Sequence, residues 1–263
     1  MLRYKKYILA TILFFSVLQV SLAQDKVKWN IEKSTHFIVY YQEAKEDFIK
    51  ELVNYAENYY DRIAEDLGLR RYNFWLWDNR AKIYIYNDNK DYLAASGKPS
   101  WSVGYAIIRE KIIYTYPYAR GFFETVLSHE MGHIIFRELV GFYNPAVPLW
   151  LDEGVASYQE KTRVEGAKYE VASAIDKGTF IQLEKLNVLN PQLMQDKAQV
   201  GLFYAEAVNL VDYLIRQFGK DNFVLFCQRL RDRQNLRDAL SATYPFSNLQ
   251  ELDAAWQKYL KNE

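Results

Sequence analysis

The segment LSHEMGHIIF, residues 127–136, contains two of the three histidines of the chain, four residues apart, with a glutamate directly after the first. On an α-helix, His129 and His133 lie about 40° apart on one face, so both imidazoles can reach one ion from the same side. Glu130 lies about 60° beyond His133 and can approach the open coordination position of that ion without being a ligand. In this His-Glu-x-x-His pattern the glutamate takes a proton from the attacking water.

The same helix is also apolar on its opposite side, at Leu127, Met131, Ile134 and Ile135. A helix that is apolar all round is buried, and buried titratable groups without partners cost several kcal/mol. A zinc ion is one partner that could satisfy the three groups, and a hydrogen-bonded structural cluster is the other. The segment alone leaves both interpretations open.

A catalytic zinc needs a third protein ligand and one open position. A third histidine six residues after His133 is excluded, because that position is Leu139. The segment PLWLDEGVASYQE, residues 148–160, offers a glutamate on a second helix instead: Pro148 suits a helix start, and Glu153 falls in the first turns.

Two small residues after this glutamate, Gly154 and Ala156, predict that the second helix approaches the first closely. Asp152 is the rival third ligand, but on a helix it points about 100° away from Glu153. A favourable charge near the helix amino terminus is its other role. We therefore favour Glu153 as the ligand.

The amino terminus has the pattern of a signal peptide, residues 1–23. Three basic residues precede an apolar run from about residue 8 to residue 20, and Ser21-Leu22-Ala23 suits cleavage after Ala23. The run is shorter than a transmembrane helix needs, and no later segment is long and apolar enough to span a membrane. We expect a secreted or periplasmic protein, and a retained amino-terminal anchor is the alternative.

The composition is that of a globular protein, with 50% hydrophobic and 25% charged residues. Removal of residues 1–23 leaves 33 − 3 = 30 basic residues against 33 acidic ones, a net charge of −3. A slightly acidic chain of this kind has no excess of basic residues that would indicate binding to nucleic acid or to an anionic membrane surface. The single Cys227 cannot form an intramolecular disulfide and is predicted to be a buried small side chain. His36 opens a strand and is predicted to be structural.

The order of the elements predicts an α+β fold with a small mixed sheet first and helices afterwards. The predicted strands are 36–42, 82–86 and a pair within 102–117 around a turn near Arg109-Glu110, and the predicted helices are 43–68, 121–140, 149–160, 199–218, 221–231 and 247–261. Gly141 and Gly219 stand where a glycine ends a helix. We expect an amino-terminal α+β subdomain, 24–140, and a helical carboxy-terminal subdomain, 141–263, with a cleft between them.

The two motifs HEMGH and PLWLDEGVASY together resemble those of the gluzincin metallopeptidases, the thermolysin-like class, and most closely the small peptidase MA-like families. The match that carries motifs covers about residues 100–220. The resemblance implies a zincin-like cleft with one Zn²⁺ on His129, His133 and Glu153, and Glu130 as general base and later proton donor.

The resemblance also implies an edge strand before the His-Glu-x-x-His helix that binds extended substrate, for which 103–108 and 111–115 are candidates. It implies a tyrosine or histidine in the carboxy-terminal half that stabilises the oxyanion, and Tyr204 is our choice because no histidine follows His133. Packing of Tyr204 on Phe203 is the structural alternative. One departure concerns Ser157, which stands where thermolysin has an aspartate that supports a histidine.

The sequence therefore predicts a zinc metallopeptidase that acts on a peptide or protein substrate and does not bind nucleic acid. The first alternative is a secreted binding or scaffold module that retains zinc without hydrolysing peptides. A zinc amidase or esterase with a non-peptide substrate is another. The intact Glu130 favours an enzyme, because a degenerate copy is expected to have lost one of the site residues.

Overall fold

A computed structural model of the protein describes residues 28–68, 75–100, 102–117 and 121–262. The predicted signal peptide and its cleavage after Ala23 lie outside these residues. The fold is α+β, as predicted, with a five-stranded mixed sheet in the amino-terminal part and about 63% helix. None of the helices in the described ranges has the length and apolar character that a membrane crossing requires.

The sheet has the strand order β1-β2-β3-β5-β4. Its strands are β1 (Asn30–Lys33), β2 (Phe37–Tyr41), β3 (Ala81–Ile85), β4 (Gly104–Ile107) and β5 (Ile112–Thr115). Strands β2, β3 and β5 run parallel, whereas β1 and β4 are antiparallel edge strands. Alternation places Val39, Ile83 and Ile113 on one buried face, so this face forms part of the core.

The predicted hairpin within 102–117 is confirmed as β4 and β5. A single 3₁₀ turn, Ile108–Glu110, joins the strands, and Lys111 follows it in the left-handed conformation with φ 54°. A helical turn followed by a left-handed residue is a usual four-residue hairpin connection, which explains why Arg109 and Glu110 need not be favoured two-residue turn formers.

Three α-helices belong to the amino-terminal part: α1 (Glu46–Asp66), α2 (Asn89–Ser96) and α3 (Ser128–Val140). Side chains of α1 and α3 join the buried face of the sheet in one apolar cluster. A six-residue π-helix, Phe122–Leu127, leads directly into α3, so the predicted helix over 121–140 is confirmed with this change in its first turns. Gly141 ends α3 with φ 100°, as predicted.

The rest of the chain is helical. The helices are α4 (Leu149–Tyr158), α5 (Lys161–Asp176), α6 (Leu183–Leu186), α7 (Lys197–Phe218), α8 (Lys220–Arg231), α9 (Leu236–Thr243) and α10 (Leu249–Asn262). Helix α7 packs against α4, α5 and α8, and the apolar cluster continues from the sheet into these helices. Gly219 ends α7 with φ 85°, as predicted. The division into two subdomains at residue 140 stays a prediction.

The close approach of α4 to α3 does not use the glycine that we predicted. A Cβ on Gly154 would lie 2.5 Å from the carbonyl oxygen of Ala207, so Gly154 faces α7. The contact with α3 is made at Gly132, where a Cβ would lie 2.8 Å from Cα of Ala156. Ala156 therefore has the predicted role, and the prediction for Gly154 is wrong because the residue points to the other side of α4.

Candidate metal centre

The histidines of α3 and the glutamate of α4 converge on one point. One ligand atom from each of His129, His133 and Glu153 lies within 4.8 Å of the others. The two histidine Nε2 atoms are 3.1 Å apart. Glu153 Oε2 lies 3.6 Å from Nε2 of His129 and 3.5 Å from Nε2 of His133.

These three groups fit a zinc ion in type and in spacing. Two imidazole nitrogens and one carboxylate oxygen form a common donor set of catalytic zinc, and tetrahedral bonds of about 2.1 Å place such donors roughly 3.4 Å apart. The measured separations lie close to that value. His129, His133 and Glu153 could therefore hold a metal ion.

Asp152 contacts the far side of one histidine and is not directed at the converging atoms. Its Oδ1 lies 3.0 Å from Nδ1 of His133, and its Oδ2 accepts a hydrogen bond from Nε of Arg137 at 2.7 Å. A carboxylate on Nδ1 fixes the tautomer that leaves Nε2 free to bind a metal. The preference for Glu153 over Asp152 as third ligand agrees with this geometry.

Glu160 supports the other histidine. Its Oε1 lies 2.7 Å from Nδ1 of His129, which supplies the contact that Ser157 lacks. Sequence reasoning missed Glu160, because it lies beyond the end of α4, at the extended residue before α5, where helical spacing does not predict the direction of a side chain. Both histidines are thus held by carboxylates from the segment that also carries Glu153.

The carboxylates dominate the electrostatics of this centre. Burial opposes a charge on His129, but the carboxylates of Glu153 and Glu160, which accept hydrogen bonds from its ring, outweigh burial and raise its pKa to about 9. Burial likewise opposes ionisation of Glu153, yet the two histidines hold its pKa well below the ordinary value. The arrangement therefore favours a cation between these groups.

Glu130 lies between the histidines and the edge of the sheet. Burial raises its pKa above the ordinary value, against the lowering effect of His129 and His133. The backbone of Ala106 also acts against this rise, so the carboxylate lies near the edge strand β4.

The topology distinguishes the two strand candidates for binding an extended peptide. Strand β5 lies between β3 and β4, so both of its edges are paired. Among the described strands, β4 has a partner on one edge only, and its other edge can add a peptide strand. The candidate 103–108 is compatible with such binding, and the candidate 111–115 is excluded.

Tyr204 lies in α7, close enough to the candidate metal centre for the charges of its carboxylates to change the pKa of the tyrosine hydroxyl. Burial, followed by the charge of Glu153, raises its pKa to about 12, and Glu130 and Glu160 act in the same direction. Its ring also packs edge-on against Phe203 at 5.6 Å, as in the structural alternative. The hydroxyl therefore stays protonated and can donate a hydrogen bond.

The remaining two residues considered from sequence have structural contacts. His36 lies with Nδ1 2.5 Å from Oε2 of Glu57, and its ring stacks on Tyr60 at 4.0 Å. Cys227 is fully buried and unpaired, and burial raises the pKa of its thiol. The predictions of a structural His36 and a buried Cys227 agree with these contacts.

The class of the protein follows from a comparison with known families. A model of the Peptidase MA superfamily matches residues 62–262, which include both motifs and Tyr204. The chain therefore belongs to the Peptidase MA superfamily, and this membership supports a peptidase. No curated protein matches the chain.

Proposed function

We propose that the protein is a secreted or periplasmic zinc metallopeptidase of the gluzincin type, with one Zn²⁺ per chain on His129, His133 and Glu153. The convergence of these three donors within 4.8 Å carries the proposal. Membership of the Peptidase MA superfamily supports the reaction class. The signal-peptide pattern of residues 1–23 supports export.

A zinc ion held by His129, His133 and Glu153 would act as a Lewis acid: it would polarise the attacked carbonyl and lower the pKa of water toward about 7. Glu130 accepts the proton of the attacking water and delivers it to the leaving amine. The raised pKa of Glu130 suits a group that must both accept and donate a proton.

The other groups of the site bind and orient. The free edge of β4 pairs with an extended substrate and presents its peptide bond to Glu130. Tyr204 donates a hydrogen bond to the oxyanion that develops on the attacked carbonyl. Asp152 and Glu160 keep Nε2 of each histidine turned toward Glu153.

Glu130→Gln tests the proposed function. The amide cannot accept the proton, so hydrolysis of peptide or unfolded-protein substrates should fall by at least about 100-fold. Bound zinc, measured by elemental analysis, should stay near one per chain because Glu130 is not a ligand. The matched control is Glu165→Gln, an exposed residue of α5, which should keep full activity.

The alternatives give different results in the same experiment. A scaffold protein would bind zinc and hydrolyse nothing even as wild type. An amidase or esterase would not hydrolyse the peptide library. It would cleave non-peptide amides or esters, and a chelator would abolish this activity. Wild-type protein that binds no zinc would contradict the metal centre itself.

A further inference from the structure

The face of the sheet opposite the core has an unusual composition. The strand register places two cross-strand rows of side chains on this outer face: Ile31, Tyr40, Tyr84, Tyr114 and Tyr105, and Lys33, Ile38, Lys82, Ile112 and Ile107. All ten residues are isoleucine, tyrosine or lysine, and none is acidic. Helices α1 and α3 pack on the other face.

This outer face is open at its margins. The edge strands contribute Ile31, which is 52% exposed, and Ile107, which is 36% exposed. On a sheet with one solvated face, the outward positions are normally occupied by polar residues. The three central strands contribute half-buried side chains to this face, apart from Ile112, which is 8% exposed. Apolar surface that reaches solvent across several strands can mark a place where a soluble protein meets a partner or a membrane.

The tyrosine rings stack on one another across four strands. Tyr40 stacks on Tyr84 at 4.5 Å, Tyr84 on Tyr114 at 5.0 Å and Tyr114 on Tyr105 at 5.0 Å, all with interplanar angles of 20° or less. Nζ of Lys98 covers the last ring at 4.4 Å. Both faces of Tyr84, Tyr114 and Tyr105 are therefore occupied, and the other side of Tyr40 is the side of Ile31, its partner in the register. A partner meets the ring edges and the hydroxyl groups.

The occupied ring faces decide which partner chemistry fits. Nucleic-acid bases bind to aromatic platforms by stacking on free ring faces, which this row does not offer. The cores of protein interfaces are depleted of lysine, whereas this surface has Lys33 and Lys82 within the rows and Lys98 at the rim. Aromatic edges with hydroxyls, isoleucine and lysine are instead the residues that settle at the boundary between lipid headgroups and acyl chains.

We propose that the outer face of the sheet is a docking surface for an anionic lipid bilayer. Burial raises the pKa of Tyr84, Tyr105 and Tyr114, so their hydroxyls stay protonated and can donate hydrogen bonds to phosphate oxygens. Trp29 extends the surface, because its indole packs edge-on against Tyr84 at 5.3 Å. The lysines provide attraction to the anionic headgroups, although the whole chain has no basic excess.

Vesicle binding tests this proposal on the zinc-loaded chain that begins at Gln24, which keeps every described residue and lacks the apolar run. It should partition more strongly onto vesicles of equal phosphatidylglycerol and phosphatidylcholine than onto phosphatidylcholine alone. Each lysine near such a surface contributes about fivefold to partitioning, so K33E/K82E should reduce binding by about tenfold or more.

The matched control is K185E/K258E, which changes the net charge equally at exposed positions of α6 and α10. It should bind as the wild type does. Equal loss in both double variants, or no preference of the wild type for the anionic vesicles, would overturn the proposal.

A second measurement reports the orientation of the protein on the bilayer. Brominated lipids should quench part of the tryptophan fluorescence in the wild type and in Trp77→Phe, because Trp77 is an exposed residue of the 3₁₀ turn before β3 and belongs to neither row of this face. The quenching should be largely lost in Trp29→Phe. Wild-type protein that binds single-stranded oligonucleotides, or that forms a dimer broken by K33E/K82E, and ignores vesicles would assign the face to another partner and overturn the proposal.

Discussion

Glu160 supports the proposed metal centre without being one of its ligands. It lies beyond the end of α4 and contacts Nδ1 of His129 at 2.7 Å. Outer carboxylates of this kind fix the ring orientation and increase the basicity of the ligating nitrogen. Their loss therefore weakens the metal site without removing a ligand.

Glu160→Gln should lower zinc affinity by about 10- to 100-fold, since a neutral amide supports the imidazole less well than a carboxylate. Competition with a chromogenic chelator measures this affinity. The control, Glu165→Gln, changes the same charge five residues further along the chain and should leave the affinity unchanged. Equal affinities for Glu160→Gln and wild type would show that the contact does not act on the metal.

At the residue scale, the sequence was enough to propose the metal ligands but not the carboxylates that contact their outer nitrogens. Helical spacing was enough to pair His129 with His133, because it dictates which side chains share a face, and the need of zinc for a third ligand led to Glu153 in the second motif. The partners of the outer histidine nitrogens depend on how two helices and the loop between them pack. That packing is why Asp152 and Glu160 acquired their contacts only in the structure.

At the scale of elements, the position of α4 is set by contacts of backbone with backbone. Gly154 abuts Ala207 of α7, and Gly132 of α3 abuts Ala156. The helix that carries Glu153 is thus held between two neighbours, with no space for a methyl group on either side. Its position should respond strongly to such a change.

Gly154→Ala should destabilise the protein by about 1–3 kcal/mol, because the new Cβ would overlap the carbonyl oxygen of Ala207. It should also weaken zinc binding, since the shift moves Glu153. Gly166→Ala is the control: it lies within α5 with no atom within 4 Å of the new Cβ, and should stabilise by about 0.5–1 kcal/mol. Urea unfolding midpoints measure both changes, and a neutral Gly154→Ala would contradict the close packing.

Long elements with strong periodicity were predictable, and short or polar ones were not. Helix α1 and strands β2 and β3 agree with the predicted segments within a few residues. The missed elements are β1, α2, α5, α6 and α9. All four residues of β1 are exposed, so β1 has no alternation to detect, and the short α2 depends on a local cap in which Asp88 accepts the N–H of Asp91.

At the scale of the whole molecule, one buried carboxyl group makes stability depend on pH. Glu206 of α7 is fully buried, with Oε1 accepting the N–H of Ile181 and Oε2 lacking a partner among the described residues. Burial raises its pKa to about 8, and the nearby charge of Asp253 adds to the effect. The folded protein therefore retains a proton that the unfolded chain releases near pH 4.5.

The sign of this dependence follows from proton binding. Between about pH 4.5 and about pH 8 the folded state binds more protons at Glu206, so stability falls as pH rises, by up to about 1.4 kcal/mol per pH unit. Glu206→Gln should remove this slope and make the protein more stable than wild type at pH 8. Urea unfolding midpoints between pH 5 and pH 8.5 measure this dependence of stability on pH, with Glu165→Gln as control. An unchanged slope in Glu206→Gln would contradict its assignment to Glu206.

The overall architecture was predictable in class but not in topology. Strands that precede helices indicate α+β, because each segment reveals its own periodicity. The order β1-β2-β3-β5-β4 depends on which strands meet across long separations in the chain. No local sequence pattern determines the order of the strands. The outer tyrosine row depends on this order, so it could not be predicted from the sequence either.

The packing of α4 on α7 also determines when the centre can exist during biosynthesis. The ligands lie between His129 and Glu153, but α7, on which the glutamate helix rests, ends at Phe218. A nascent chain that has not yet emerged beyond α7 holds all three ligands without the surface that fixes Glu153. The three candidate ligands can therefore converge only after α7 has been synthesised, late in translation.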